Sequence, residues 1–210
     1  MKTLFRPVGL TEMKLILDLE LKAFPPRLPE QPIFYPVLNK EYAAEIAHEW
    51  NTKDKFSGYV GFVTEFTVKC PFIDKYEEQI VGSRTHEELW IPSEELEEMN
   101  ANIDGRIKLI DVFYGKEYEG ITSDSEPFQE KTLMEQLRLW HELCVKDWTD
   151  FNQEIREQWK FIFMNYSYWV ALDPTLVGLN EKLKNKVLSK MHECWKEHLS
   201  DISLLGGIHV

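Results

Sequence analysis

Hydrophobic residues recur with two different periods along this chain. In the first part they form short runs, several of which alternate apolar with polar positions, and this pattern predicts strands. Between the runs, spacings of three and four residues predict helices, as after Asn39, where Ala43, Ile46, Ala47 and Trp50 share one helical face. The pattern therefore predicts an α+β module over residues 1–118. Its predicted strands are residues 4–8, 33–37, 58–68, 77–81, 87–91 and 106–114.

After a linker at residues 119–127, the hydrophobic period becomes that of long helices over residues 128–210. An unbroken stripe of apolar residues predicts one long helix, and Asp173 with Pro174 then begins a second one. Together these two helices would form a helical hairpin. Apolar faces this wide need a cover, either the first module or a second copy of the chain in a homodimer. The two stripes consist of Leu133, Leu137, Trp140, Cys144, Trp148, Phe151, Ile155, Trp159 and Ile162, and of Leu176, Leu179, Leu183, Val187, Met191, Cys194 and Ile202.

The composition is that of an ordinary globular protein, with 43% apolar and 29% charged residues among 210. No stretch approaches the roughly 20 uncharged residues of a membrane helix, and the N-terminus carries no secretory signal. We therefore expect a cytoplasmic protein with no membrane association. The three cysteines, Cys70, Cys144 and Cys194, are odd in number and show no CxxC spacing, which argues against a disulfide framework and a zinc knuckle. They are expected to be reduced thiols.

Charge and motifs exclude several classes of function. The net charge of −12 argues against general nucleic-acid binding, which depends chiefly on lysine and arginine. Phosphate loops, dinucleotide-binding glycine turns and the nucleophile elbow of hydrolases are absent from the sequence. His141-Glu142 and His192-Glu193 each begin like a zinc-protease motif but lack the second histidine, so no metal site is predicted.

A few polar residues stand out as candidates for chemistry. On a strand, His86 and Glu88 point to the same face, and such a pair can hold a sugar hydroxyl or stabilise a developing positive charge. The alternative is an exposed strand edge with a cross-strand salt bridge. Arg6 interrupts an apolar strand, where a lone arginine usually faces the surface. A proline-rich loop that carries Arg27 leads into Tyr35, whose ring can stack on a planar ligand or simply pack on the sheet.

The first half of the chain resembles a bacterial family whose members carry a generic ADP-ribosylation label. The shared blocks are R-P-V-G-L at residues 6–10, F-P-P-R-L-P-x-Q-P-I-F-Y-P-V at 24–37, E-Y-A at 41–43, W-N-T-K-D at 50–54 and E-L-W-I-P-x-E-E-L at 88–96. They span a little over half of the chain. ADP-ribosyl hydrolases do not fit, since they are all-helical and bind metal through aspartate motifs that this sequence lacks.

The order of candidate residues is similar to that of the ADP-ribosyltransferase fold, a split β-sheet module. Such enzymes have an early strand with Arg or His, a later strand with Ser or Tyr, and a last strand with a catalytic glutamate. Arg6, Tyr35 and Glu88 follow this order. The chain departs from the family in lacking a Ser-Thr-Ser block and in having His86-Glu87-Glu88 where arginine-directed members have E-x-E.

The resemblance implies NAD as substrate and a protein side chain as acceptor. Glu88 would be the catalytic residue, stabilising an oxocarbenium-like state as the nicotinamide bond breaks. Arg6 would contact the pyrophosphate, Tyr35 would stack on nicotinamide, and His86 would help to bind the dinucleotide. Two alternatives remain open. One is a non-catalytic interaction protein whose helical segment is a partner or dimer surface, and the other is a different nucleotide-processing activity in the same cleft.

Overall fold

The computed structural model describes residues 1–123 and 126–206. It contains 46% helix and 20% strand, with small antiparallel sheets and a helical C-terminal region. The predicted mixture of helices and strands is therefore confirmed at this coarse level. The chain divides into two compact units, which we call unit 1 (Met1–Tyr118) and unit 2 (Glu119–Val210).

Unit 1 is built on a three-stranded antiparallel sheet. Strand β1 (Lys2–Val8) and strand β7 (Ile103–Tyr114) pair with opposite edges of the central strand β3 (Val60–Val68). The sequence predicted a half-buried β3, but Gly61 and Val63 are buried as well. The reason is helix α2 (Lys40–Glu49), which packs on that face. A Cβ atom on Gly61 would lie 2.4 Å from the Ala47 carbonyl oxygen, so only glycine allows this close approach.

Further strand segments extend from the free edge of β1. Val37 forms bridges to Phe5 of β1 and to Glu88 of β5 (Glu87–Leu89), and β5 pairs with β4 (Glu78–Ile80). The short strands β2 (Ile33–Phe34) and β6 (Ile91–Pro92) also pair. Three segments distant in sequence therefore lie side by side, and these segments carry Arg6, Tyr35 and Glu88.

The helices of unit 1 lie between these strands. Helix α1 (Leu10–Asp18) follows β1 directly, α3 (Cys70–Ile73) follows β3, and α4 (Leu96–Ala101) precedes β7. Helix α2 begins where the sequence indicated, because the Asn39 side chain accepts a 2.7 Å hydrogen bond from the Tyr42 backbone N–H.

The structure of unit 2 differs from the predicted helical hairpin, which was wrong in the number of helices. The predicted long helix is divided into α5 (Leu133–Lys146), α6 (Trp148–Glu157) and α7 (Trp159–Ala171). Asp147 ends α5 because its backbone is extended (φ −150°, ψ 121°) and its side chain caps α6, and Gln158 separates α6 from α7. The predicted second helix is a 3-10 turn (Pro174–Val177) followed by α8 (Glu181–His198).

Most of the predicted apolar stripes are buried. Ten of the sixteen stripe residues are buried, including Trp140, and four more are half-buried. The remaining two, Trp148 and Leu176, are exposed, at 44% and 62%. Because the stripes are largely covered within the chain, they give little reason to require a second copy, and the homodimer stays a prediction.

Candidate functional site

Three of the four predicted site residues line one cleft in unit 1. The cleft has a volume of about 330 Å³, and its walls are formed by Arg6, Pro7, Tyr35, Val37, Ile46 and Glu88. We call it the Glu88 cleft. The pairing of Val37 with both β1 and β5 brings Arg6 and Glu88 to it from strands that are far apart in sequence.

Arg6 is not the surface residue that its place in a strand suggested, since it is only 8% exposed. Its Nε and Nη2 donate to the two carboxylate oxygens of Glu12 at 2.7 and 3.0 Å, and its Nη1 donates to the Tyr35 carbonyl at 3.1 Å. The guanidinium also lies over the Phe34 ring, 4.5 Å from its centre. These contacts fix the guanidinium at the wall of the cleft.

Glu88 is held by hydrogen bonds to both of its carboxylate oxygens. The Tyr42 hydroxyl donates to Oε1 at 2.9 Å, and the Trp90 ring N–H donates to Oε2 at 3.1 Å. Burial and the neighbouring carboxylate of Glu88 raise the pKa of Tyr42 to about 12, so this phenol remains a donor at neutral pH. A carboxylate fixed in this way points in a defined direction before any ligand arrives.

His86 lies beside the site and is not part of the cleft wall. Its ring stacks flat on Tyr42, with centroids 4.0 Å apart and planes 7° from parallel, and its Nε2 lies 3.2 Å from Glu45 Oε2. The predicted pairing of His86 with Glu88 is therefore indirect, with Tyr42 between them. The salt-bridge alternative had the partner wrong, because Glu45 belongs to α2 and not to a neighbouring strand.

The Tyr35 ring lines the cleft, and the Trp90 ring contacts it from outside the cleft wall. Tyr35 is partly exposed and meets Trp90 edge to face, with ring centroids 6.1 Å apart and planes at 86°. The Trp90 ring is exposed too. Exposed rings of this kind offer a flat apolar surface on which a planar ligand can stack.

Sequence reasoning missed Tyr42 and Trp90 as partners of Glu88. The contact between Trp90 and Glu88 could have been predicted, because residues two apart on an extended segment share a face. The contact between Tyr42 and Glu88 could not, since it joins α2 to β5 across 46 residues.

Two features are absent from the part of the chain that the structure describes. No group of three or more His, Cys, Asp or Glu residues is arranged to hold a metal ion. In the same residues, 1–123 and 126–206, no helix is both long and apolar enough to cross a bilayer.

Comparisons with family models, with curated proteins and with solved structures find no match to this chain. Interpretation of the site therefore depends on its geometry. The Glu88 cleft combines a fixed carboxylate, a fixed guanidinium and the exposed ring of Tyr35. This set of groups suits a ligand with a planar ring, an anionic part and a centre that becomes positive during reaction.

Proposed function

We propose that the Glu88 cleft binds a nicotinamide dinucleotide and that unit 1 cleaves it in the manner of ADP-ribosyltransferases, with water or a protein side chain as acceptor. The observation that carries the proposal is that Arg6, Tyr35 and Glu88 line one cleft. Their chain order matches the resemblance noted from the sequence.

The chemistry requires little beyond a well-placed carboxylate. The bond between nicotinamide N1 and ribose C1′ breaks, and its electron pair leaves with the nicotinamide, which becomes neutral. The ribose then carries positive charge, which the Glu88 carboxylate stabilises. An acceptor oxygen or nitrogen forms the new bond to C1′ and loses its proton to solvent. Tyr42 and Trp90 keep Glu88 in position for this step.

The other residues have supporting roles in this proposal. Tyr35 stacks on the nicotinamide ring with its exposed face. Arg6 uses three of its five N–H groups on Glu12 and Tyr35, and the remaining two contact the pyrophosphate. His86 is a positioning residue, because it reaches Glu88 only through the stacked ring of Tyr42.

One observation favours the non-catalytic alternative. The polar groups of the cleft already satisfy one another, since Arg6 is paired with Glu12 and Glu88 accepts two hydrogen bonds. A site with balanced charges can bind a dinucleotide without destabilising the bond to be broken. In this reading unit 1 is a binding module, and unit 2 presents its few exposed apolar residues, such as Trp148 and Leu176, to a partner.

Nicotinamide release tests the proposal. The purified protein is incubated with NAD, and free nicotinamide is followed by chromatography. We expect Glu88→Gln to abolish release, and the neighbouring variant Glu87→Gln to retain it because Glu87 does not line the cleft.

Three other outcomes of the NAD experiment would support the alternative or contradict the proposal. NAD binding without release supports the binding-module alternative. Release that survives in Glu88→Gln contradicts the assigned role of Glu88. A protein that neither binds nor cleaves NAD contradicts both readings.

A further inference from the structure

A second cavity in unit 1 adjoins Arg6. It has a volume of about 500 Å³ and shares only Arg6 and Pro7 with the Glu88 cleft. Its walls come from the start of α1, the proline-rich loop and the segment after α2. We call it the Arg27 pocket, and its polar lining includes Arg6, Glu12, Arg27, Asp54 and Ser57.

Positive charge is incompletely neutralised at one end of the Arg27 pocket. Glu12 is bound by both arms of Arg6, and the nearest approach of Arg27 to it is 3.9 Å, from Nη1 to Oε2. One carboxylate thus faces two guanidinium groups. The other acid of the pocket, Asp54, accepts hydrogen bonds from the Ser57 backbone N–H and hydroxyl at 2.7 Å each and from the Phe56 N–H at 3.2 Å. Asp54 is therefore engaged within its own loop.

The Arg27 guanidinium is mostly buried and incompletely paired. Its side chain is 11% exposed, and its Nε is buried with no hydrogen-bond partner among residues 1–123 and 126–206. Burying a donor and a charge without a partner costs free energy. Burial and the positive charge of Arg6 lower the pKa of Arg27. An anion in the pocket would counter the repulsion between the two guanidinium groups.

Apolar side chains border the same pocket. Phe56 is 91% exposed, and Leu28 and Leu15 are exposed as well. A ring that lies this far out of the core offers a face to a planar group whose anionic end reaches the arginines.

We propose that the Arg27 pocket binds the phosphate or pyrophosphate of a nucleotide, with Arg27 as the main contact, Arg6 as the second and Phe56 against the base. Two guanidinium groups suit a tetrahedral dianion, which accepts paired hydrogen bonds. The site rests on the pocket alone and requires no cleavage of NAD.

Calorimetric titration with inorganic pyrophosphate tests the site, and ADP and adenosine serve as further probes. We expect pyrophosphate and ADP to bind and adenosine to bind far more weakly. Arg27→Gln should weaken pyrophosphate binding by roughly 10- to 100-fold, the effect of losing charge-assisted hydrogen bonds. Arg84→Gln is the matched control, since Arg84 is exposed in the turn between β4 and β5, and it should bind as the wild type does.

A thermal melt without ligand separates a binding role from a structural one. If the role of Arg27 is to bind an anion, Arg27→Gln leaves the melting temperature unchanged or raises it, because it removes a buried charge whose ion pair with Glu12 is as long as 3.9 Å. Three results would overturn the inference: no pyrophosphate binding by the wild type, equal binding by Arg27→Gln and Arg84→Gln, or a lower melting temperature for Arg27→Gln. None of them depends on nicotinamide release, which tests the Glu88 cleft separately.

Discussion

The Tyr42 hydroxyl donates a 2.9 Å hydrogen bond to Glu88, and this contact joins helix α2 to strand β5 at the wall of the cleft. Tyr42→Phe removes the donor and keeps the ring that stacks on His86. We expect the free energy of unfolding, measured with urea, to fall by about 1 kcal/mol. We also expect a lower kcat for nicotinamide release with little change in KM, because Glu88 loses one of the two hydrogen bonds that position its carboxylate.

Tyr76→Phe is a matched control for this variant. The Tyr76 hydroxyl donates to Glu95 at 2.6 Å, and neither residue lines the Glu88 cleft. We expect a similar loss of stability with unchanged nicotinamide release. Equal kinetic effects in the two variants would contradict a positioning role for Tyr42.

The raised pKa of Tyr42 makes its contribution to stability depend on pH. The phenol ionises near pH 10 in the unfolded chain and near 12 in the folded one, because burial and then the Glu88 carboxylate disfavour its charged form. The contribution is therefore complete below pH 10 and is lost as the pH rises to 12. We expect the wild type to lose about 2 kcal/mol more than Tyr42→Phe over this interval in urea titrations. Parallel losses in the two proteins would contradict the assignment.

Arg6 and Arg27 share Glu12, and a double-mutant cycle can measure the consequence. Arg6→Gln should lower the free energy of unfolding by about 2–4 kcal/mol, because it leaves Glu12 without its close partner. Arg27, which is 3.9 Å from Glu12, can then take over part of the interaction. Arg27→Gln should consequently cost about 1 kcal/mol more in the Arg6→Gln background than in the wild type.

The control for this cycle is Lys2→Gln. It removes the ion pair between Lys2 and Glu78, in which both side chains are more exposed than those of Arg6 and Glu12. We expect a loss below about 1 kcal/mol. Strict additivity of the two arginine variants would show that Arg27 and Arg6 do not compete for Glu12.

Local signals in the sequence predicted local structure well. Asn39 marks the start of α2 because its side chain satisfies a backbone N–H only three residues away. The break at Asp147 was missed because Cys144 and Trp148 keep the phase of the apolar stripe on either side of it. Hydrophobic periodicity reports which face is apolar and is insensitive to a single extended residue.

The candidate site could be predicted only in part from the sequence, again because sequence patterns report local structure. The sequence singled out Arg6, Tyr35, His86 and Glu88 by residue type and order. Their convergence depends on the bridges that Val37 makes to Phe5 and Glu88, and such long-range pairings have no local pattern. The ion pair between Arg6 and Glu12 was not predicted from the sequence either. It forms because the chain turns from β1 directly into α1.

Asp147 decides whether the first part of unit 2 contains one long helix or two shorter ones. Its side chain accepts hydrogen bonds from the backbone N–H groups of Thr149 at 2.7 Å and Asp150 at 3.2 Å. Asp147→Ala should therefore lower the free energy of unfolding in urea by about 1 kcal/mol, the cost of a lost N-cap. Glu142→Ala, an exposed change within α5, should stay within about 0.5 kcal/mol of the wild type. A segment that preferred one continuous helix would respond in the opposite way, because alanine is the strongest helix former and would raise both stability and the helical circular dichroism signal.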